Sequence, residues 1–239
     1  MNRWLIATTL LTISLSMPVR AQDAVPAGEL GTATIKGAVT LTTAAPAAAG
    51  VEMGSDPQCA AHAATTADDL VVDGNGGVQW AFVHVSEGVT GKYPVPKKPV
   101  LLDQEGCMYS PHVFGAQVRQ KILIKNSDAM LHNVHAMPEI NREFNLAMPK
   151  KDMQIPRKFK KPEVMVHIKC DVHSWMHSYV GVTTHPFYAV SGADGAFSIG
   201  ELPAGTYTVQ AWHETLGTAT QQVTVVDGGT ADVNFAFGG

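Results

Sequence analysis

The stretch from Lys169 to His177 carries the densest set of chemically useful side chains in the sequence. It reads Lys-Cys-Asp-Val-His-Ser-Trp-Met-His, so the thiol of Cys170, the imidazole of His173 and the thioether of Met176 fall in one short segment. Thiolate, imidazole and thioether are ligand types that together favour copper. The segment therefore predicts most of a metal site.

A second segment supplies an imidazole that the first one lacks. Trigonal copper sites in proteins use two histidines and one cysteine, with a weak axial methionine. Residues 126–135 read Asn-Ser-Asp-Ala-Met-Leu-His-Asn-Val-His and follow a predicted strand. A β-sandwich can bring His132 beside the cysteine loop, and the metal would then bridge two loops.

Both segments resemble those of a known family. The triplet that begins at His132 is similar to the His-Asn-Val segment that supplies the first ligand in plastocyanin-like cupredoxins. Cys170-x-x-His173 has the plastocyanin spacing, and the His-Ser-Trp-Met piece ending at Met176 is similar to the copper loop of cytochrome oxidase subunit II. The resemblance covers roughly residues 106–183. It implies His132, Cys170 and His173 as equatorial ligands and Met176 as the axial ligand.

The spacing of the axial ligand departs from the plastocyanin pattern. Two residues rather than four separate His173 from Met176, so His177 and His135 are alternatives for the axial position. The dinuclear site of the oxidase needs a second cysteine in the loop, which this loop lacks, so we expect a single copper ion. Zinc is the alternative metal, because cysteine and histidine suit it too.

The cysteine count bears on the same site. The chain has three cysteines, and exported proteins tend to pair their thiols. If Cys59 and Cys107 form a disulfide, it closes a loop of about 48 residues and contributes roughly 4 kcal/mol in the chain-entropy model. Cys170 is then the free thiol, and metal ligation explains why a free thiol persists in an oxidising compartment.

The first residues predict export. Arg3 precedes an apolar stretch at residues 4–17, and Ala21 ends a small-residue cleavage pattern, so we expect a signal peptide and a periplasmic or secreted protein. No later segment offers the roughly 20 unbroken apolar residues of a membrane helix. The net charge is −4, or −6 once Arg3 and Arg20 leave with the signal, which argues against nucleic acid as a partner.

Short alternating segments separated by turn residues predict an all-β fold. Residues 163–169 alternate strictly and predict a strand that runs directly into Cys170. Residues 70–85 predict a hairpin, and residues 113–125 predict continuous extended chain. Within this all-β chain, the resemblance to cupredoxins implies a cupredoxin-like Greek-key β-sandwich around the copper site.

The C-terminal segment resembles a second family. Strands with turns at Asp194-Gly195 and at Pro203-Ala-Gly205, and the Trp-His-Glu sequence after them, are similar to the carboxypeptidase regulatory-like, prealbumin-type β-sandwich. The resemblance implies a second small sandwich packed with the first. The expected domains are a signal peptide (1–21), an N-terminal β region (22–105), the copper domain (106–186) and the regulatory-like sandwich (187–239).

The segment between Pro138 and Pro162 interrupts the β pattern and concentrates lysine and arginine. We expect a long loop there, with a helical turn at residues 139–145. Because the rest of the chain is acidic, the basic patch at residues 142–161 would steer an acidic redox partner towards the site.

Three functions follow from these patterns. The first is one-electron transfer by a periplasmic copper protein. The second is copper handling or delivery, with soft ligands from the methionines near His132, which are Met130, Met137, Met148 and Met153. The third is a metal-free module that binds glycan or protein, in which Cys170 is only a buried thiol. The sequence holds no nucleophile elbow, phosphate-binding glycine loop or His-Glu-x-x-His motif, so we do not expect an enzyme.

Overall fold

The computed structural model describes residues 27–238, apart from residues 48–49, 55 and 62–65. The signal peptide predicted at residues 1–21 lies outside the described residues. In the described part of the chain, no helix has the length and apolar character needed to cross a membrane. The chain is all-β, as predicted from the sequence, with one short helix among the described residues, α1 at Pro57–Ala60.

The strands, in chain order, are β1 (Ala33–Leu41), β2 (Phe82–Glu87), β3 (Val100–Glu105), β4 (Met108–Ser110), β5 (Val113–Gln117), β6 (Ile122–Asn126), β7 (His132–Met137), β8 (Phe144–Met148), β9 (Met153–Arg157), β10 (Glu163–Lys169), β11 (His177–Thr183), β12 (Tyr188–Val190), β13 (Ala196–Leu202), β14 (Gly205–His213), β15 (Gly217–Val225), β16 (Thr230–Asp232) and β17 (Phe235–Phe237).

The middle of the chain forms one sandwich, here named the inner sandwich. One of its sheets has the order β5-β11-β10-β7-β8 and the other the order β4-β3-β6-β9. Alternate residues of β10 point inwards, so Val166 and Ile168 join a buried cluster with Leu102 and Ile124 from the other sheet. The strictly alternating segment at residues 163–169 is β10, as its pattern predicts.

The two ends of the described chain form the other sandwich, here named the outer sandwich. Its sheets have the orders β13-β1-β16, with β17 also paired to β1, and β12-β2-β14-β15. The inner sandwich is therefore inserted between β2 and β12. Residues treated as one N-terminal region in the sequence analysis divide between the sandwiches, because β1 and β2 pair with C-terminal strands while β3 pairs with β4 and β6.

The two sandwiches pack against each other where two aromatic rings of the outer sandwich lie on two glycines of the inner sandwich. Phe82 of β2 and Tyr188 of β12 are stacked, with ring centroids 5.6 Å apart. They lie on Gly181 and Gly115, which face each other across β11 and β5. A Cβ atom at Gly181 would come within 2.3 Å of the Phe82 ring, and one at Gly115 within 2.1 Å of the Tyr188 ring. Glycine is required at both positions because the rings approach the backbone so closely.

The prediction of a long loop between Pro138 and Pro162 is wrong, because β8 and β9 lie in this segment. No helical turn forms at residues 139–145. The carboxylate of Glu163 accepts the backbone N–H groups of Glu139, Ile140 and Asn141 and holds this segment in a bend. The chain bends around Glu163 instead.

Two other extended segments are shorter than their patterns predict. Residues 113–125 divide into β5 and β6, which belong to different sheets, and Arg119 adopts a φ of 69° in the turn between them. In the segment at residues 70–85, a single bridge joins Val72 to Val78, and the strand that follows starts only at Phe82. In both places a change of sheet or direction, rather than the side-chain pattern, ends the strand.

Candidate metal centre

Strand pairing brings the two ligand segments together. β10 lies antiparallel to β7, with Lys169 opposite His135. Cys170 therefore leaves the sheet at the edge where β7 begins with His132. Cys170 directly follows Lys169, the last residue of β10. The antiparallel register therefore places it near the start of β7, where His132 lies although it is 38 positions earlier in the sequence.

Three donor atoms converge between these segments. Nδ1 of His132 and Nδ1 of His173 are 3.0 Å apart, and Sγ of Cys170 is 3.9 Å from Nδ1 of His173. All three lie within 4.8 Å of one another. His132 is 0% exposed, His173 is 3% exposed and Cys170 is 2% exposed. Two nitrogens and one sulfur thus face a common point that water does not reach.

Asn133 fixes the cysteine loop against β7. Its side-chain oxygen accepts the backbone N–H of Asp171 at 2.7 Å and the thiol of Cys170 at 3.3 Å. Its Nδ2 donates to Asn145 and to the Asp171 carboxylate. The hydroxyl of Tyr109 donates to the Asn133 carbonyl at 2.5 Å. This network holds the sulfur in place before any metal is bound.

A carboxylate lies behind each imidazole. Nε2 of His132 is 2.9 Å from Oδ2 of Asp128, and Nε2 of His173 is 3.5 Å from Oδ2 of Asp56. An Nε2–H that donates to a carboxylate leaves the Nδ1 lone pair free to face the centre. Burial lowers the pKa of His132, although Asp128 opposes this, and so favours the neutral ring that a metal requires.

Asp128 is itself held in place by the backbone. It accepts the N–H groups of Gly106 and Cys107, each at 2.9 Å. Burial alone would raise the pKa of Asp128, but the hydrogen bonds from Cys107, His132 and Gly106 outweigh it and lower the pKa. The carboxylate therefore stays charged and keeps its position next to His132.

The disulfide expected between Cys59 and Cys107 is present, and it covers the site. Sγ of Cys59 is 3.7 Å from Nε2 of His173. The thioether of Met130 lies 3.7 Å from Sγ of Cys59 and 3.5 Å from Sγ of Cys107. Cys170 remains a free, buried thiol. Because α1 carries Cys59, the crosslink fastens this helix over the centre.

The loop between Cys170 and β11 is closed by its own backbone. The N–H of Cys170 donates to the carbonyl of Met176 at 3.0 Å, and the N–H of Met176 donates to the carbonyl of His173 at 3.1 Å. Trp175 donates its indole N–H to the carbonyl of Cys107, and its ring centroid lies 5.1 Å from that of His173. The indole thus shields one face of the imidazole from water.

The three residues considered for the axial position lie in different surroundings. Met176 is fully buried in the same apolar cluster as Cys170. The ring of His135 lies between Glu143 and Asp171, at 2.6 Å and 3.0 Å. The ring of His177 faces Glu214 and Asp69. Of the three, Met176 is the one that is buried in the apolar cluster of Cys170.

The methionines near His132 lie in different surroundings. The thioether of Met130 faces the disulfide, and that of Met148 accepts a hydrogen bond from Gln104 at 3.0 Å. Met137 and Met153 lie on β7 and β9, in opposite sheets of the inner sandwich.

The contacts of Asp56 with His173 and of Asp128 with His132 were not predicted from the sequence. A signal for Asp56 exists, because Asp followed by Pro is typical of a helix start, and its Oδ1 caps α1 by accepting the N–H of Gln58 at 2.8 Å. Its other oxygen is the one that faces His173. No local pattern connects either carboxylate with an imidazole.

Residues 179–238 match the family model of the carboxypeptidase regulatory-like domain. The prediction of such a module at the C-terminus is confirmed. The match begins at residue 179, inside β11, whereas the sequence pattern predicts that this domain starts at residue 187. In the structure β11 pairs with β5 and β10 of the inner sandwich.

Several solved structures are similar to this chain. A copper(I) form of an amicyanin mutant is 23% identical, with a TM-score of 0.32, and the match covers 37% of this chain and 85% of that chain. A reduced form of another amicyanin mutant is 21% identical, with a TM-score of 0.32 and coverage of 42% and 97%. A purple cupredoxin from Nitrosopumilus maritimus is 17% identical, with a TM-score of 0.31 and coverage of 35% and 99%. No curated protein matches the chain.

Proposed function

We propose that this chain is an exported mononuclear copper protein that carries one electron to or from a partner. His132, Cys170 and His173 are its equatorial ligands, and Met176 is its axial ligand. The observation that carries the proposal is the convergence of Nδ1, Nδ1 and Sγ within 4.8 Å in a buried pocket. Two imidazoles and one thiolate are the donor set of trigonal copper sites.

The donor set fits copper better than zinc. Structural zinc sites are four-coordinate and built from cysteine, histidine or carboxylate ligands. Met176, which is buried in the same apolar cluster as Cys170, offers a thioether, a soft ligand suited to copper. Zinc remains an outcome that the spectra below would reveal.

The protein side chains prepare the site in three ways. When bound, copper supplies one-electron chemistry between its two oxidation states. Asp128 and Asp56 orient the two imidazoles, so little rearrangement accompanies a change of charge. Asn133 accepts the Cys170 thiol and the backbone N–H of Asp171, which positions the cysteine loop before the thiol gives up its proton to a metal. The disulfide and Trp175 exclude water.

The proposed partner is an acidic redox protein that docks at the basic segment 142–161. Arg142, Lys158, Lys160 and Lys161 line an open cleft of about 430 Å³, together with the apolar side chains of Ile140 and Phe159. Positive charge around an apolar centre suits transient docking of an acidic surface. The rate of electron transfer to such a partner should fall as salt concentration rises.

Spectroscopy of the copper-loaded protein tests the proposed function. We expect an intense visible charge-transfer band and a paramagnetic Cu(II) signal, both lost on Cys170→Ser. His135→Gln is the matched control. His135 lies on β7, the strand that also carries His132, but its ring faces Glu143 and Asp171. A colourless protein that takes up no copper would end the proposal. One bound zinc ion without a visible band would assign the site to zinc instead.

A further inference from the structure

A second cluster of ligand side chains lies where the two sandwiches meet. It contains His112, which follows β4, His177 at the start of β11, and Glu214 directly after β14. Their donor atoms lie within 4.8 Å of one another. The first two belong to the inner sandwich and Glu214 to the outer one.

We propose that His112, His177 and Glu214 bind a second metal ion, a divalent transition-metal cation such as Zn²⁺, that joins the two sandwiches. Two imidazoles and one carboxylate are a common ligand set for such ions, which bind all three through nitrogen or oxygen. The site contains no thiol, so its ion is chemically distinct from the proposed copper.

The carboxylate is placed between the two rings. Oε1 of Glu214 contacts Nε2 of His112, and Oε2 lies 3.2 Å from Nε2 of His177. The side chains of His112 and Glu214 are only 1% and 12% exposed. Both imidazole Nε2 atoms therefore face the same carboxylate in a largely dry position, which favours a shared ligand ion.

The tautomer of His177 suits a metal ligand. Its Nδ1 lies 3.1 Å from the carbonyl of Trp175, so Nδ1–H donates there, and Nε2 is the nitrogen that a metal ion would bind after displacing its proton. A backbone carbonyl that fixes the ring in this way is typical of metal-bound histidines. The same loop that carries Cys170 and His173 thus presents His177 to the second cluster.

In the part of the chain that the structure describes, no lysine or arginine forms an ion pair with the carboxylates of this cluster, whose partners are His112 and His177. Asp69 approaches Nε2 of His177 at 3.1 Å, which adds a second carboxylate. Among the described residues, the lysine ion pairs involve other carboxylates, those of Asp103, Asp152 and Asp171.

An entry path for an ion exists. An open cleft of about 430 Å³ is lined by His112 and His177 and also by Asp68 and Asp69. Negative charge along a cleft attracts cations. The geometry thus provides ligands, a tautomer-fixing carbonyl and access, which are the features expected of a metal site.

Zinc stoichiometry in four forms of the full chain tests the second site. Equilibrium dialysis against Zn²⁺ followed by elemental analysis should give two ions in the unmodified protein, one in Glu214→Gln, one in Cys170→Ser and none in the double variant. Glu214→Gln keeps the size and the hydrogen-bonding oxygen of the side chain. Loss of zinc therefore reports on the ligand charge rather than on folding.

The design separates the two proposals. If Glu214→Gln binds as many ions as the unmodified protein, the second site is overturned, whatever Cys170→Ser does. If only Cys170→Ser leaves the zinc count unchanged, the second site stands, and the first proposal is judged separately by the spectra of the copper-loaded protein. His135→Gln, which removes another histidine held between two carboxylates, should leave the count unchanged. Loss of the second ion in that control would place it elsewhere and overturn the proposal.

A second readout uses the position of the ion between the sandwiches. An ion that binds only the folded form raises the unfolding temperature as its concentration rises. In the Cys170→Ser background, Zn²⁺ should raise the unfolding temperature, and His177→Gln should remove this shift. An equal shift with and without His177 would also overturn the second site.

Discussion

Oδ2 of Asp128 lies 2.9 Å from Nε2 of His132, on the side of the ring opposite His173. The imidazole is thereby held between a fixed carboxylate and the candidate metal position. The carboxylate is held in turn by two backbone N–H groups. This arrangement fixes the ring and raises its basicity as a ligand.

Asp128→Asn should weaken copper binding by about 10- to 100-fold, because it removes the negative charge behind His132. Competition with a chelator of known affinity measures the change. Asp152→Asn is the matched control, since Asp152 is an exposed carboxylate paired only with Lys125 among the described residues. Equal losses in both variants would show that Asp128 has no specific role.

Removal of the disulfide by Cys59→Ser with Cys107→Ser should destabilise the protein by about 2–5 kcal/mol. The closed loop spans 48 residues, and its entropy is regained by the unfolded chain. Urea unfolding without added metal measures this. Because Cys59 packs on His173, the visible band should also shift in the copper-loaded double variant. A band identical to that of the unmodified protein would mean that the crosslink does not influence the site.

Gly181→Ala should lower the free energy of unfolding by about 1–3 kcal/mol, because the added methyl group collides with the ring of Phe82. The substitution acts on the contact between the sandwiches. Gly74→Ala is the control, since a Cβ at Gly74 meets no atom within 4 Å and its φ is not positive. A variant at 181 as stable as the one at 74 would refute the close approach of the ring.

The buried ring of His84 should make stability fall in mild acid. Burial, helped by repulsion from His185, lowers its pKa to about 4 from the ordinary 6.5. Between these values the unfolded chain binds the proton and the folded chain does not, so the free energy of unfolding decreases as pH falls from 6.5 towards 4. At pH 5 this one group removes about 2 kcal/mol relative to pH 7.

His84→Leu should therefore flatten the loss of stability between pH 7 and pH 5 by about 2 kcal/mol. Urea titrations at the two pH values measure it. His135→Gln is the contrasting variant, because hydrogen bonds to Glu143 and Asp171 raise the pKa of His135 despite some desolvation. The pH dependence should not flatten in that variant. An unchanged slope in His84→Leu would mean that the ring is protonated normally in the folded protein.

Local sequence patterns predict the strands that have one buried face. In β10, Val166 and Ile168 face the core, as the alternation in the sequence predicts, whereas Val164 is 40% exposed because the strand register shifts between Glu163 and Val166. β8 and β9 were not predicted from their sequences. Each lies at the edge of its sheet, where only one side is hydrogen-bonded, so Pro156 and flanking lysines are tolerated.

The same distinction applies to the candidate site. Cys170, His173 and His132 could be selected from the sequence because their donor types belong to one metal chemistry. Asp56 and Asp128 could not, since a carboxylate near a histidine carries no such signature until the fold is known. The pairing of β1 with β17 was equally hidden, because about two hundred residues separate the partners and no short-range pattern records it.

The insertion of one sandwich into the other sets an expected order of assembly. Chain leaves the outer sandwich at β2 and returns at β12, and these two strands are themselves hydrogen-bonded neighbours. Once the inserted sandwich has folded, its two ends lie side by side, and the long intervening segment no longer costs closure entropy. We therefore expect the inserted unit to form early and to act as the template on which the remote ends of the polypeptide find each other.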